Sequence, residues 1–316
     1  MRILQLAGIA AAVLALAAGA LIFAVTQPVL GAGARWGGLR AEPGKLEAAV
    51  RSLVGLGKRN THAGMEQAAV WISARLVALG LTPSDQVYRF DNENYRNVAV
   101  LLGAATPQRI VVGAHYDVAG PNPGADDNAS GVAGLLEIAR LLRDRPPPMR
   151  TELVFYPNEE PPAFHTSGMG SSVHARSLRA GEVRAMIGLE MIGCFSGAQQ
   201  FPAAPLKLFY PERPDYIVVV GRLGDGALVR AVKRAMRGAG APVRSINAPR
   251  EVPGIDFSDH ANYWNAGMPA VMITDTAFYR NPRYHTALDT PDTLDYATMA
   301  QVVEGVAAAV HALAGK

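Results

Sequence analysis

A chain of 316 residues, 49% of them apolar, has the material for a full-sized core, as one large α/β domain or two smaller ones. A formal charge of +3 over this length is close to balance, and no basic run is interleaved with aromatics, which excludes a nucleic-acid footprint. The single cysteine, Cys194, excludes an internal disulfide and a cysteine-built zinc site, so any metal must be held by histidines and carboxylates. Cys194 itself lies in the apolar run Met191-Ile192-Gly193-Cys194-Phe195 and reads as a small buried residue rather than a nucleophile.

In chain order, the first feature is an uncharged apolar stretch from Ile3 to Val25. Its roughly 23 residues can cross a hydrocarbon core of about 30 Å as a helix, whereas a cleaved signal peptide has an apolar region of about 7–15 residues. Residues 1–26 are therefore expected to be a signal anchor, with a cleaved signal peptide as the alternative. The anchor reading puts membrane contact at residues 3–25 and the remainder on the periplasmic or extracellular side. If the segment is cleaved, the protein is secreted. Residues 27–44, with Pro28, Pro43 and several glycines, read as a linker, and residues 45–316 as one catalytic domain.

Within that domain two helical patterns come first, the second from Gly64 to Leu79 and closed by Gly80. Strands are expected at 86–90, 97–102, 109–114, 152–156, 185–191, 216–220 and 270–274. Helices are expected at 130–142, 171–178, 226–237, 259–265 and 294–314. This alternation predicts an α/β sheet covered on both faces, a three-layer αβα sandwich whose active site lies at the carboxyl ends of the strands.

What stands at those strand ends carries the chemistry. One strand runs into His115-Tyr116-Asp117, and Gly124-Ala125-Asp126-Asp127-Asn128-Ala129-Ser130-Gly131 opens the next helix. Further strands run out into Asn158-Glu159-Glu160 and into Glu190, and Asn281-Pro282-Arg283-Tyr284-His285-Thr286 precedes the last helix. Imidazole with carboxylate oxygen is a natural ligand set for zinc, which acidifies a bound water. Two metals sharing one carboxylate need about five ligands and one free carboxylate to move a proton, and this inventory supplies them. Ser258-Asp259-His260 reads as a helix cap supporting the site, with Ser258 as N-cap. No Gly-x-Ser-x-Gly elbow accompanies it, which removes a serine hydrolase.

Taken in order over roughly residues 60–316, these six segments closely resemble the co-catalytic di-zinc exopeptidases, the family of bacterial leucyl aminopeptidases, glutamate carboxypeptidases and, more distantly, glutaminyl cyclases. The resemblance implies a central mixed, mostly parallel sheet and two Zn2+ ions per chain. It implies that His115, Asp126 and Glu190 hold one ion and Asp126, Glu160 and His285 the other, with Asp126 as the bridge and the Asp126–Asp127 peptide bond cis. Glu159 would be the general base acting on a metal-bridging water, and Asp117 would orient His115. The implied activity is removal of N-terminal residues from a peptide or small amide substrate. Glutaminyl-peptide cyclization, and carboxypeptidase or deacylase action on small N-acyl amino acids, stay open as alternatives.

Two positions depart from relatives: Glu190 stands where some carry Asp, and Ile255 where some aminopeptidases carry a tyrosine that stabilises the tetrahedral intermediate. Neither Asp256 nor Tyr263 can be assigned that task from the sequence. His62, His174 and His311 read as surface or packing residues, His165 as a possible substrate contact without a required role, and Arg280 as a surface arginine or a receptor for a substrate carboxylate or carbonyl.

Overall fold

A computed structural model describes the backbone of residues 2–315 and the side chains of residues 12–315. Eight strands form one sheet: β1 (Ser84–Phe90), β2 (Glu93–Leu102), β3 (Arg109–His115), β4 (Arg150–Tyr156), β5 (Val183–Glu190), β6 (Ile217–Arg222), β7 (Val243–Ala248) and β8 (Ala270–Thr274). Their order is β1-β2-β4-β3-β5-β8-β6-β7. The central strands β4, β3, β5 and β8 run parallel to one another, β1, β2 and β6 join through antiparallel pairs, and β7 runs parallel to β6 at the edge. The mixed sheet expected from the resemblance is present, and its parallel heart gathers four strand ends at one rim.

Alternating residues of each central strand face different layers. Ile110 and Val112 of β3 pack with helices α2 (Pro43–Val54), α3 (His62–Ala78), α4 (Gly131–Asp144), α6 (Gly226–Gly238) and α8 (Tyr296–Ala314), whereas Val111 faces α5 (Gly170–Ser177) and α7 (His260–Asn265). Strands buried on both faces need helices on both sides, which makes the three layers. α8 is long and apolar enough to cross a membrane by length and composition, but 72% of that stretch is buried inside the fold. Its one acid, Glu304, is buried and accepts from the Ala41 amide at 3.0 Å, so α8 is a core helix.

β7 was not expected from the sequence. Its segment Val243-Arg244-Ser245-Ile246-Asn247-Ala248 mixes polar and apolar residues, because it is an edge strand whose Ser245 and Asn247 are buried under hydrogen bonds. The other expected strands and helices are present with shifts of a few residues at their ends.

Helix α1 (Arg2–Thr26) projects with Val13, Leu14, Leu16 and Leu21 exposed. The stretch after it lies against the body, and α2 already begins at Pro43. The Thr26 carbonyl accepts from Ser245 Oγ and Lys233 Nζ, Gly33 N donates to the Arg234 carbonyl at 3.0 Å, and Trp36 packs on Arg145 and His311. Residues 27–42 are thus a docked strap, because backbone carbonyls and a few side chains find partners on α6, β7 and α8.

Candidate active site

Each residue of the site is delivered by the end of a central strand or the loop beyond it. His115 ends β3 and is fully buried. Asp117 follows two residues later, and its two carboxylate oxygens accept from the Glu159 and Glu160 amides at 3.1 and 3.0 Å. One buried carboxylate thereby fixes the loop after β4 while standing 3.3 Å from His115 Nδ1. Glu190 ends β5 and accepts from Ser258 Oγ at 2.7 Å. The N-cap of α7 is Asp259, so the Ser258 hydroxyl, expected to cap the helix, is instead committed to Glu190.

The loop from Gly124 to Gly131 decides which aspartate faces these groups. Gly124 has φ +58°, and a Cβ there would lie 2.3 Å from the Asp127 carbonyl, so the turn requires glycine. Beyond it, Asn128 Oδ1 accepts from the Gly131 and Met191 amides, its Nδ2 donates to the Leu189 carbonyl, and Ser130 Oγ accepts from Ile192 N. Asp126 Oδ1 accepts from Gly193 N at 3.0 Å and Oδ2 from Asn281 Nδ2 at 2.8 Å. These side chains clamp the loop to the exit of β5. Only Asp127 is left to face the site, with Oδ1 3.4 Å from His115 Nε2 and Oδ2 3.0 Å from His285 Nε2.

The place between the two histidines is thus taken by Asp127 and not, as expected, by Asp126. The cis peptide bond is Asp127–Asn128, one residue later than expected. The physical reason is that the loop's hydrogen bonds turn Asp126 inward, towards Gly193 and Asn281. With Asp127 in the shared place, two groups form: His115, Asp127 and Glu190, and Asp127, Glu160 and His285. A further group, Asp126, Asp275 and Cys194, lies behind them. Its carboxylates take the Gly193, Cys194 and Ala277 amides, and burial pushes the Cys194 thiol up to about 12, so it serves the loops.

The two groups facing the site have the dimensions of metal sites. Ligands bound at about 2.0–2.1 Å to a tetrahedral zinc stand about 3.3 Å apart. His115 Nε2 is 3.3 Å from Glu190 and 3.4 Å from Asp127, and His285 Nε2 is 3.0 Å from Asp127 and 3.1 Å from Glu160. Both ring nitrogens of His115 are buried without a well-formed hydrogen bond, which a fold tolerates poorly unless another partner completes them. Glu159 stands outside both groups, buried, with Oε2 3.9 Å from His115 Nε2. Burial first, then the neighbouring carboxylates Glu160 and Glu190, hold Glu159 well above the usual carboxylate range, against the pull of His115.

These charges make the metal-free chain sensitive to pH. Burial and the neighbouring Asp127 raise Glu160 to about 8, and burial and Asp126 raise Asp289 to about 7. Burial opposes the charge on His285, but hydrogen bonds to Asp127 and Glu160 outweigh it and raise the ring to about 10. All three bind protons more tightly in the folded chain than in the unfolded one. Their stabilisation is complete below the unfolded values and is lost as pH rises through about 7–10. In detergent with a chelator, Tm is expected to fall by about 4–5 °C between pH 5 and 8, the effect of about 3 kcal/mol in a chain of this size. Added Zn2+ should remove most of the drop. A chelated chain more stable at pH 8 than at pH 5 contradicts the assignment.

Other residues singled out in the sequence have other partners. Arg280 is 2% exposed and donates to Gln199 Oε1 and to the Cys194 and Tyr216 carbonyls, so it is a structural arginine and neither a surface residue nor a substrate receptor. Tyr263, a buried residue of α7, bonds Tyr156 and His174 at the sheet face. Asp256 pairs with Arg250 at 3.5 Å, and His165 stacks on Phe164. Sequence reasoning missed Asp127 in the shared position and Asp289, whose carboxylate accepts from the Asp126 and Asp127 amides. It also missed Tyr284, whose ring stacks 3.7 Å from that of His285. Tyr284 lay in a quoted motif, but Asp289 carried no spacing signal.

Beside Glu190 opens an apolar pocket with Tyr210, Tyr216, Ile255, Phe257, Met272 and Phe278 in its walls. Ile255 belongs to this wall, and its carbonyl accepts from His260.

Paired histidine–carboxylate groups at the carboxyl rim of a mixed αβα sheet, with an apolar pocket beside them, define a metal-dependent hydrolase. The profile of peptidase family M28 matches residues 97–310. An uncharacterized protein of Escherichia coli K12, YfbL, is 45% identical over 281 residues, covering 84% of this chain and 87% of that protein. The chain belongs to peptidase family M28 and is a metallo-exopeptidase.

Its fold is shared with a leucine aminopeptidase precursor of Bacteroides thetaiotaomicron, at TM-score 0.64 and 21% identity, covering 86% of this chain and 98% of that one. A glutaminyl cyclase of the same organism gives TM-score 0.64 and 20% identity, over 87% and 99% of the two chains. The fungal leucine aminopeptidases that match are longer proteins, of which the alignments span 55 to 65%.

Proposed function

We propose that this chain is a two-zinc aminopeptidase acting on peptides that begin with a large apolar residue, tethered by α1 with its catalytic body, residues 45–316, on the periplasmic or extracellular side. The observation that carries the reading is the placement of Asp127 between two histidines, each joined by one further carboxylate. His115, Asp127 and Glu190 would hold one zinc, and Asp127, Glu160 and His285 the other. When bound, the pair supplies an acidified water and a polarised substrate carbonyl. Glu159, held by the bond from its amide to Asp117, takes the proton from the attacking water and passes it to the leaving amine. Asp117 also holds the ring of His115 in place. The apolar pocket beside Glu190 receives the side chain of the first residue. Exposed apolar side chains along α1 are what a lipid-facing helix presents, and they support the anchor.

The test uses the full chain in detergent, loaded with Zn2+ and analysed for metal. Two zinc ions per chain, with cleavage of leucyl and phenylalanyl anilides but not their N-acetyl forms, is the expected result. One ion at saturation overturns the two-metal reading. Ammonia release from a Gln-initiated peptide without shortening turns the assignment to the cyclase. Cleavage of N-acyl amino acids alone turns it to a carboxypeptidase or deacylase.

A further inference from the structure

The end of α1 does not leave the body freely. Thr26 and Gln27 are pinned by Lys233 and Ser245, Arg237 donates to the Val29 carbonyl, and Arg230 stacks over Phe23. Beyond this anchor point a groove opens between residues 22–29 and the segment 208–210. Leu208, 80% exposed, and Phe209, also exposed, stand on its far side, and Arg237 and Arg244 line its floor. Leu30, 93% exposed, lies four residues beyond the helix. None of these apolar side chains contributes to the core, and among the described residues Arg237 and Arg244 form no ion pair, the one carboxylate of the groove, Asp215, pairing with Arg213 instead.

Helix length places this surface. The uncharged run from Ile3 to Val25 rises about 34 Å at 1.5 Å per residue, close to the thickness of a hydrocarbon core, so Thr26 emerges at the headgroup level. Side chains lining the same groove as Ile22–Val29 then lie at that depth. Apolar tips dip into the acyl boundary there, and arginines meet lipid phosphates.

We infer that the groove face carrying Leu208, Phe209, Arg237 and Arg244 rests on a membrane surface of anionic phospholipid. The inference rests on the anchor reading of α1. It has a consequence for the site: Tyr210 and Tyr216 line both this groove and the apolar pocket beside Glu190, so the back wall of the substrate pocket is the membrane-facing wall.

The only cysteine of the chain is buried, so one surface cysteine can be labelled selectively. A Leu208→Cys chain carrying an environment-sensitive fluorophore is reconstituted in vesicles of phosphatidylcholine, with or without phosphatidylglycerol. Its emission should be lost to lipids brominated near the headgroup, more so with phosphatidylglycerol. Adding Arg244→Glu should abolish that extra loss. A label at Val87→Cys, on the opposite edge of the sheet and exposed, should respond to aqueous iodide alone. If position 208 also responds to iodide alone while the chain resists carbonate extraction, the surface is overturned and the anchor stands. If carbonate releases the chain from the vesicles, the anchor fails and the surface with it.

Discussion

Replacing Glu159 by glutamine should lower kcat by about 10³–10⁴-fold on an aminoacyl anilide, the upper range for a positioned acid–base group. The substitution keeps the volume of the side chain and removes only its charge and basicity. Glu159 sits 3.9 Å from His115 Nε2 and outside both histidine–carboxylate groups, so zinc content should stay at the wild-type value. KM should change little, because the interaction lost is made in the transition state. The decisive pair of measurements is kcat and zinc per chain on the same preparation. A variant retaining more than about a tenth of the activity removes Glu159 from the role of base, and one that loses zinc makes it a ligand.

The second large effect separates two neighbouring aspartates. Asp127→Asn removes the charge shared by His115 and His285, and both ions should be lost together, leaving background activity. Asp126→Asn should keep both ions. Its carboxylate faces the Gly193 amide and Asn281 and neither histidine, so it belongs to neither group that would hold the ions. Zinc analysis by plasma mass spectrometry on both variants decides the matter. Loss of zinc from the Asp126 variant with retention in the Asp127 variant reverses the assignment.

Much of the site was legible because strand ends announce themselves. His115, Glu160 and Glu190 each follow a run of β-branched or apolar residues, and His285 lies in a motif of fixed order, so type and position could be read together. The helix–strand alternation likewise reports the layered sheet, since strands covered on both faces must be apolar throughout. β7 escaped because an edge strand with buried Ser245 and Asn247 has no such pattern. The strap at 27–42 escaped for a related reason: glycine and proline mark irregular backbone, and they do not say whether its carbonyls find partners.

By itself the sequence determined the chemistry available to this protein: no cysteine-built metal site, histidines and carboxylates set at strand ends, and an apolar run long enough for a bilayer. Tertiary structure alone decided which of two adjacent aspartates is shared, where Ser258 and Arg280 spend their hydrogen bonds, and which face surrounds the end of α1. Periodicity and spacing constrain residues one turn or one pleat apart. The direction of one side chain in an irregular loop follows from hydrogen bonds to segments distant in the chain, here Gly193 and Asn281 on Asp126, and those exist only once the sheet has brought the loops together.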